Sequence, residues 1–257
     1  MHLNGVFIGL ILCAFLRGGV LYGKDFDRIS RAELRQELFG ISSAKACKKN
    51  KACKFLQRHM KRDSKTCSMH PQDVADLGYH FHENFAPKKT MQGTIRYVRF
   101  FRGKYKYSVH SGRFGEMVLS ARLYIKNLPE FNGREILKFK NKLKRAARIW
   151  SENNPYPFLV KFDFALTSSK EEAAVSVNLH REYTRGPYYK RWSTAWSDKT
   201  VAHEFAHLLG LDDEYKNTLG GAVTKKCDAA SIMCLANKNV LPQAYHYYLI
   251  FRRILCH

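Results

Sequence analysis

Acidic residues are scarce in this chain of 257: 22 Asp and Glu stand against 44 Lys and Arg, a formal charge of +22. Such a surface attracts polyanions, whether nucleic acid, anionic membrane, sulfated glycan or acidic protein, and says nothing about fold. A concentrated basic arm is missing as well. The cations recur in Lys45 to Lys65, Arg96 to Lys106 and Arg134 to Arg148, and no block is long enough to read as a nucleic-acid arm. They read as solvated faces, and no specific nucleic-acid binding is expected. There is no internal repeat and no low-complexity segment, which sets aside repeat architectures. With 45% hydrophobic and 26% charged residues, wholesale disorder is excluded.

The apolar run near the N-terminus, Val6 to Leu16, is too short to span a bilayer and suits the core of a secretory signal. Arg17 ends it, no Lys or Arg precedes it, and Gly23 is the best cleavage position; a buried first helix is the other reading. Export is the expectation, to a secreted or periplasmic location with no transmembrane segment in the mature chain. Loss of Cys13 with the signal leaves Cys47, Cys53, Cys67, Cys227, Cys234 and Cys256. None has the C-x-x-C spacing of a structural zinc knuckle, and an even number in an exported chain suggests disulfides. Cys227 and Cys234 would close a short loop. The other cluster, Cys47, Cys53 and Cys67, needs a partner outside itself.

The chain is long enough for one medium domain and a smaller appendage. Residues 1–23 read as the signal. Residues 24–90 read as a basic, helical, cysteine-containing region, a propeptide or a cap, in which Leu34 and Leu38 share a face. Residues 91–257 carry the main domain. There, Thr94 to Glu116 suggests a twisted hairpin. Leu119, Ala121, Leu123 and Ile125 then alternate with Ser120, Arg122, Tyr124 and Lys126, as in a half-buried strand. Ile136, Phe139, Leu143, Ala147 and Trp150 fall at helical intervals, ended by Pro155 and Pro157. Val160 to Leu166 and Val175 to Leu179 read as strands, the second as an edge along which an extended peptide could pair. Strand, helix, strand predicts a sheet that is at least partly parallel. A closing helix is expected with Pro242 in its first turn.

Chemistry concentrates in "VAHEFAHLLGLDDEY", residues 201 to 215. His203 and His207 are four apart, so on a helix both rings project from one face toward a single metal ion. Glu204 is rotated off that line and can reach a metal-bound water. Zinc with three protein ligands keeps a place for water and lowers its pKa to about 7, and a neighbouring carboxylate can take the proton. Ser197 or Asp198 would cap the helix and Gly210 would end it in a sharp turn. Asp213, three residues on, is close enough to return to the metal. Chance yields these five fixed positions with a probability on the order of 10⁻⁴. The competing reading, a buried helix with two incidental histidines, leaves polar groups to satisfy and does not explain the acid.

His203, Glu204, His207 and Gly210 resemble the extended zinc motif of the metzincin metalloproteases. Asp213 stands where most members have a third histidine, an exchange also seen in small secreted bacterial members. The resemblance implies one catalytic Zn2+ on His203, His207 and Asp213, with Glu204 as general base. "SIM", Ser231 to Met233, is similar to the family's tight turn beneath the metal, with Met233 as its methionine. The order of elements over roughly residues 117 to 257 is similar too. It implies an α/β (α+β) fold: a twisted mixed sheet, a long backing helix, an active-site helix and a C-terminal helix. Two departures stand out. Asp212 and Glu214 flank Asp213, so the ligand could be a neighbour. Cys234 follows the turn where several members have an oxyanion-stabilising tyrosine, and spacing selects none of Tyr215, Tyr245 and Tyr247. The cysteine-switch motif is absent from residues 24–90.

The sequence thus points to a secreted zinc endopeptidase acting on a protein or peptide, acidic or surface-associated. One alternative is a zinc amidase for cell-wall cross-links or a narrow-specificity effector protease. Another is an exported polyanion-binding protein with a non-catalytic metal site.

Overall fold

The structure, a computed structural model, describes residues 36, 38–39, 41, 43–62, 89–98, 101–156, 158–184, 190–217, 223–224, 227–234 and 240–256. Two short helices come first, α1 (Ala44–Lys49) and α2 (Lys51–Arg62). Strands β1 (Lys89–Val98), β2 (Phe101–Ser111) and β3 (Met117–Ile125) follow. The 20-residue helix α3 (Gly133–Glu152) then leads to β4 (Val160–Leu166), β5 (Val175–His180) and β6 (Arg191–Ser193). Helix α4 (Asp198–Leu208) carries the histidines; a small β7 (Lys216–Asn217) and β8 (Val223–Thr224) pair and α5 (Ala244–Cys256) complete the order. This is the expected mixed α/β architecture.

Among the described residues the sheet has six strands. β1 and β2 pair antiparallel, and β2 pairs antiparallel with the start of β3. β4 and β5 both run parallel to β3, and β6 runs parallel to β5. β3 is central, with Leu119, Ala121, Leu123 and Ile125 all buried; the alternation holds from Ala121 onward, while Met117 to Ala121, Ser120 included, are buried on both faces. The first hairpin begins at Lys89, ahead of Thr94. One expectation fails. β5 is not a free edge, because β6 takes its outer side at Asn178, Leu179 and His180. On its other side the Asn127 amide continues the ladder beyond β3, accepting from Leu179 N at 2.9 Å and donating to Leu179 O at 3.0 Å. A three-residue strand is too short to announce itself in a sequence.

Helix α3 starts in a reciprocal cap: Asn132 Oδ1 accepts from Glu135 N and Glu135 Oε2 from Asn132 N, both at 2.9 Å. Phe139, Leu143, Ala147 and Trp150 turn inward as the periodicity predicts. Trp150 Nε1 donates to Ala202 O at 3.0 Å, tying α3 to α4. Arg145 grips Asp198 in the first turn of α4 through two hydrogen bonds, at 2.7 and 3.1 Å. From the sheet side, Phe164 of β4 stacks on Phe205 of α4 with centroids 3.9 Å apart. The histidine-bearing helix is thus clamped between the long helix and the sheet.

The N-terminal helices belong to the same core. Ala52, Phe55 and Leu56 are buried in it, and Phe55 lies 6.0 Å from the Tyr245 ring of α5. Cys47–Cys53 and Cys227–Cys234 are disulfides. Cys47 therefore finds its partner inside the N-terminal cluster. Cys67, Cys13 and the Cys256 side chain fall outside the described residues, as do the signal segment and Leu34. Pro242 lies just before α5, which starts at Ala244. No helix among the described residues is long and apolar enough to cross a membrane.

Candidate metal centre

Helix α4 is capped at its start by Ser197, whose Oγ accepts from Thr200 N at 3.1 Å. Its end is a paired cap. Gly210, at φ +89, donates to His207 O at 3.0 Å, and Leu211 N donates to Ala206 O at 2.9 Å. That reversal brings two things back toward the histidines. The Leu211 carbonyl accepts from His207 Nδ1 at 2.8 Å, and the next turn of chain delivers Asp213.

The second anchoring carbonyl comes from the turn at Ser231 to Met233. Ile232 O accepts from His203 Nδ1 at 2.7 Å. A carbonyl cannot donate, so both Nδ1 atoms carry the proton and both Nε2 atoms of the neutral rings present lone pairs. Those lone pairs meet a third acceptor. Asp213 Oδ1 lies 3.1 Å from His203 Nε2 and 3.4 Å from His207 Nε2. Both carboxylate oxygens of Asp213 are buried and find no hydrogen-bond partner.

Three acceptors turned on one point, with no donor among them, are repulsive unless a cation or a proton stands between them. A tetrahedral ion with bonds of about 2.0–2.1 Å separates its ligand atoms by about 3.4 Å, close to the two distances observed. His203, Glu204 and His207 also place their ligand atoms within 4.8 Å of one another. This group can hold a metal ion. Glu204 is partly exposed as a residue, yet its Oε2 is buried and without a hydrogen-bond partner. The nitrogen-rich, carboxylate-completed donor set suits zinc.

The electrostatics carry the same message. Burial alone would depress the His203 pKa, but Asp213 and Glu204 outweigh it and lift it to about 9. Burial would raise Asp213, but the two imidazoles hold it well below the usual carboxylate range. A proton thus takes the cation's place in the metal-free cluster. Glu204 goes the other way: burial pushes its carboxyl up, despite the histidines.

Of the three adjacent acids, Asp213 faces the histidines. Glu214 turns away into a buried cluster, where its Oε1 accepts from Ser231 Oγ, Tyr245 Oη and His246 Nε2 at 2.5, 2.6 and 3.0 Å. Its backbone N–H donates to Met233 O at 3.0 Å, and Ser231 Oγ accepts from Met233 N at 3.1 Å. Glu214 therefore pins the turn that supplies the Ile232 carbonyl. Met233 is fully buried. The tyrosines separate as well. Tyr245 donates to Glu214, and Tyr247 donates to Trp150 O at 2.6 Å, so neither hydroxyl reaches the metal group. The Tyr215 ring lies nearly parallel to that of His203, with centroids 6.5 Å apart.

Sequence reasoning missed the two carbonyls, the Glu214 cluster and Arg253, which donates to Leu209 O at 3.2 Å behind the Gly210 turn. Backbone acceptors leave no mark in a sequence, and the cluster joins residues 17 to 32 positions apart. Comparison with protein-family models, with curated proteins and with solved structures finds no match to this chain.

Proposed function

We propose that this chain is an exported zinc endopeptidase of metzincin type, with His203, His207 and Asp213 as ligands and Glu204 as general base. One observation carries the reading: buried Asp213 Oδ1 lies 3.1 and 3.4 Å from the two imidazole Nε2 atoms, with an unpartnered carboxylate oxygen of Glu204 beside the histidines. A purely structural site has no use for a second acid next to the ligands.

Zinc held there supplies Lewis acidity to a peptide carbonyl and an acidified water. The chain does the rest. The Ile232 and Leu211 carbonyls fix the tautomer and the direction of both imidazoles. Asp213 leaves the site about one positive charge, suited to polarising a carbonyl. Glu204 Oε2 takes the proton of the attacking water and passes it to the leaving amine. Its burial, by raising its carboxyl pKa, strengthens it as a base for that transfer.

The test is zinc content and cleavage of a mixed quenched-peptide library, run beside Glu204→Gln. One zinc in both proteins, with cleavage at least about 100-fold slower in the variant, is the expected result. Zinc binding with no cleavage by the unaltered protein would reject the broad endopeptidase and leave cell-wall amides or a single protein target.

A further inference from the structure

The turn between β2 and β3, Gly112 to Glu116, is built differently from a merely solvated loop. Phe114 stands at its tip and is 84% exposed, the most exposed large apolar residue among those described. Leu159 is 73% exposed at the same end of the sheet, where its carbonyl accepts from Met117 N at 3.0 Å just before β4. Burying either side chain in water's place would stabilise, so leaving both out is a cost without an internal return.

The turn's polar backbone, by contrast, is folded inward. Gly112 N donates to Glu116 O at 2.7 Å and Gly115 N to Gly112 O at 3.2 Å. Phe114 N donates to Glu116 Oε2 at 2.9 Å, so the turn's one acid points back into its own backbone. Gly115, at φ 86, allows the reversal. With the N–H groups of Gly112, Phe114 and Gly115 already satisfied, the tip has fewer polar groups to desolvate on entering an apolar phase.

Cations surround it. Arg113 is exposed, with its guanidinium 5.9 Å above the Phe114 ring. Lys161 is exposed one step behind Leu159 on the same face of the strand. An apolar point backed by cations, on a chain of formal charge +22, complements an anionic lipid surface.

We propose that this turn is a membrane-docking tip: Phe114 and Leu159 enter the acyl boundary of an anionic bilayer while Arg113 and Lys161 contact its headgroups. The proposal is independent of the peptidase reading.

The experiment is co-sedimentation of the purified protein with vesicles of phosphatidylcholine alone and with vesicles one-third phosphatidylserine, at physiological salt. Phe114→Ala with Leu159→Ala leaves the charge untouched and removes only exposed side chains, so circular dichroism should not change. Binding to the anionic vesicles should fall about tenfold to a hundredfold in the double variant. Phe114→Trp should show a blue-shifted emission, quenched by brominated acyl chains. Equal binding by the double variant and the unaltered protein would overturn the proposal in favour of diffuse charge attraction. No vesicle binding at all would overturn it too, and would turn attention to a protein partner for Phe114.

Discussion

Replacing Gly210 by alanine tests how the fold makes the metal site, because this glycine is required twice. Its φ of +89 is a conformation that L side chains rarely adopt, worth about 1–2 kcal/mol against alanine. A Cβ there would also meet the Arg253 guanidinium, Nη1 well inside van der Waals contact and Cζ at 3.0 Å. Moving that buried cation breaks its hydrogen bond to Leu209 O, about 1.5–3 kcal/mol for a charged donor. Together the loss is about 2.5–5 kcal/mol, a large share of an ordinary domain's stability. Urea unfolding of the metal-free protein reads it directly. In an Arg253→Met background the guanidinium is gone, and Gly210→Ala should cost only the backbone part, about 1–2 kcal/mol. Zinc affinity should fall with stability in the single variant, since the same turn aims Leu211 O and Asp213. A cost below about 1 kcal/mol would refute both parts of the reasoning. The same cost in both backgrounds would refute the steric part.

Zinc must displace a proton from His203, so its apparent affinity should rise about tenfold per pH unit from near 7 and level off above about 9; chelator competition at stepped pH checks this, and a flat profile would contradict the protonated cluster. The sign for stability is opposite. The folded value of about 9 exceeds the ordinary 6.5, so protonated His203 stabilises the metal-free protein fully below 6.5, and this contribution is lost as pH rises through about 9. Tyr245→Phe removes a hydrogen bond to the buried Glu214 carboxylate and should cost about 1.5–3 kcal/mol in urea unfolding, with unchanged stability counting against the cluster as a clamp. Replacing Cys227 and Cys234 by serine releases the loop around Met233 and should cost about 2.5 kcal/mol, read as a lower unfolding midpoint, with a further drop when reducing agent also opens Cys47–Cys53.

The histidine helix was legible because its logic is local. A four-residue spacing, a capping serine and a glycine stop are all written within a few positions of each other. The alternation of β3 and the stripe of α3 were legible for the same reason. What could not be read depended on partners far along the chain. Asp212, Asp213 and Glu214 look alike until the Gly210 turn decides which one points back, and Glu214 is claimed by Tyr245 and His246, 31 and 32 positions on. The loss of the β5 edge rests on three residues, Arg191 to Ser193, whose strand exists only by pairing. Cys47 and Cys53 were half-read: the cluster was visible, its internal pairing was not.

The attachment of Ile232, Ser231 and Glu214 to helix α5 has a consequence for biosynthesis. His203 and His207 leave the ribosome well before Tyr245 and His246, so a nascent chain displays both imidazoles with nothing yet holding the turn that orients His203. Until α5 has been made and docked, the chain offers only a loose pair of ligands, and the selective, rigid binding place does not exist. Any metal ion this site takes would therefore find its full ligand geometry only once α5 has docked on the turn that orients His203.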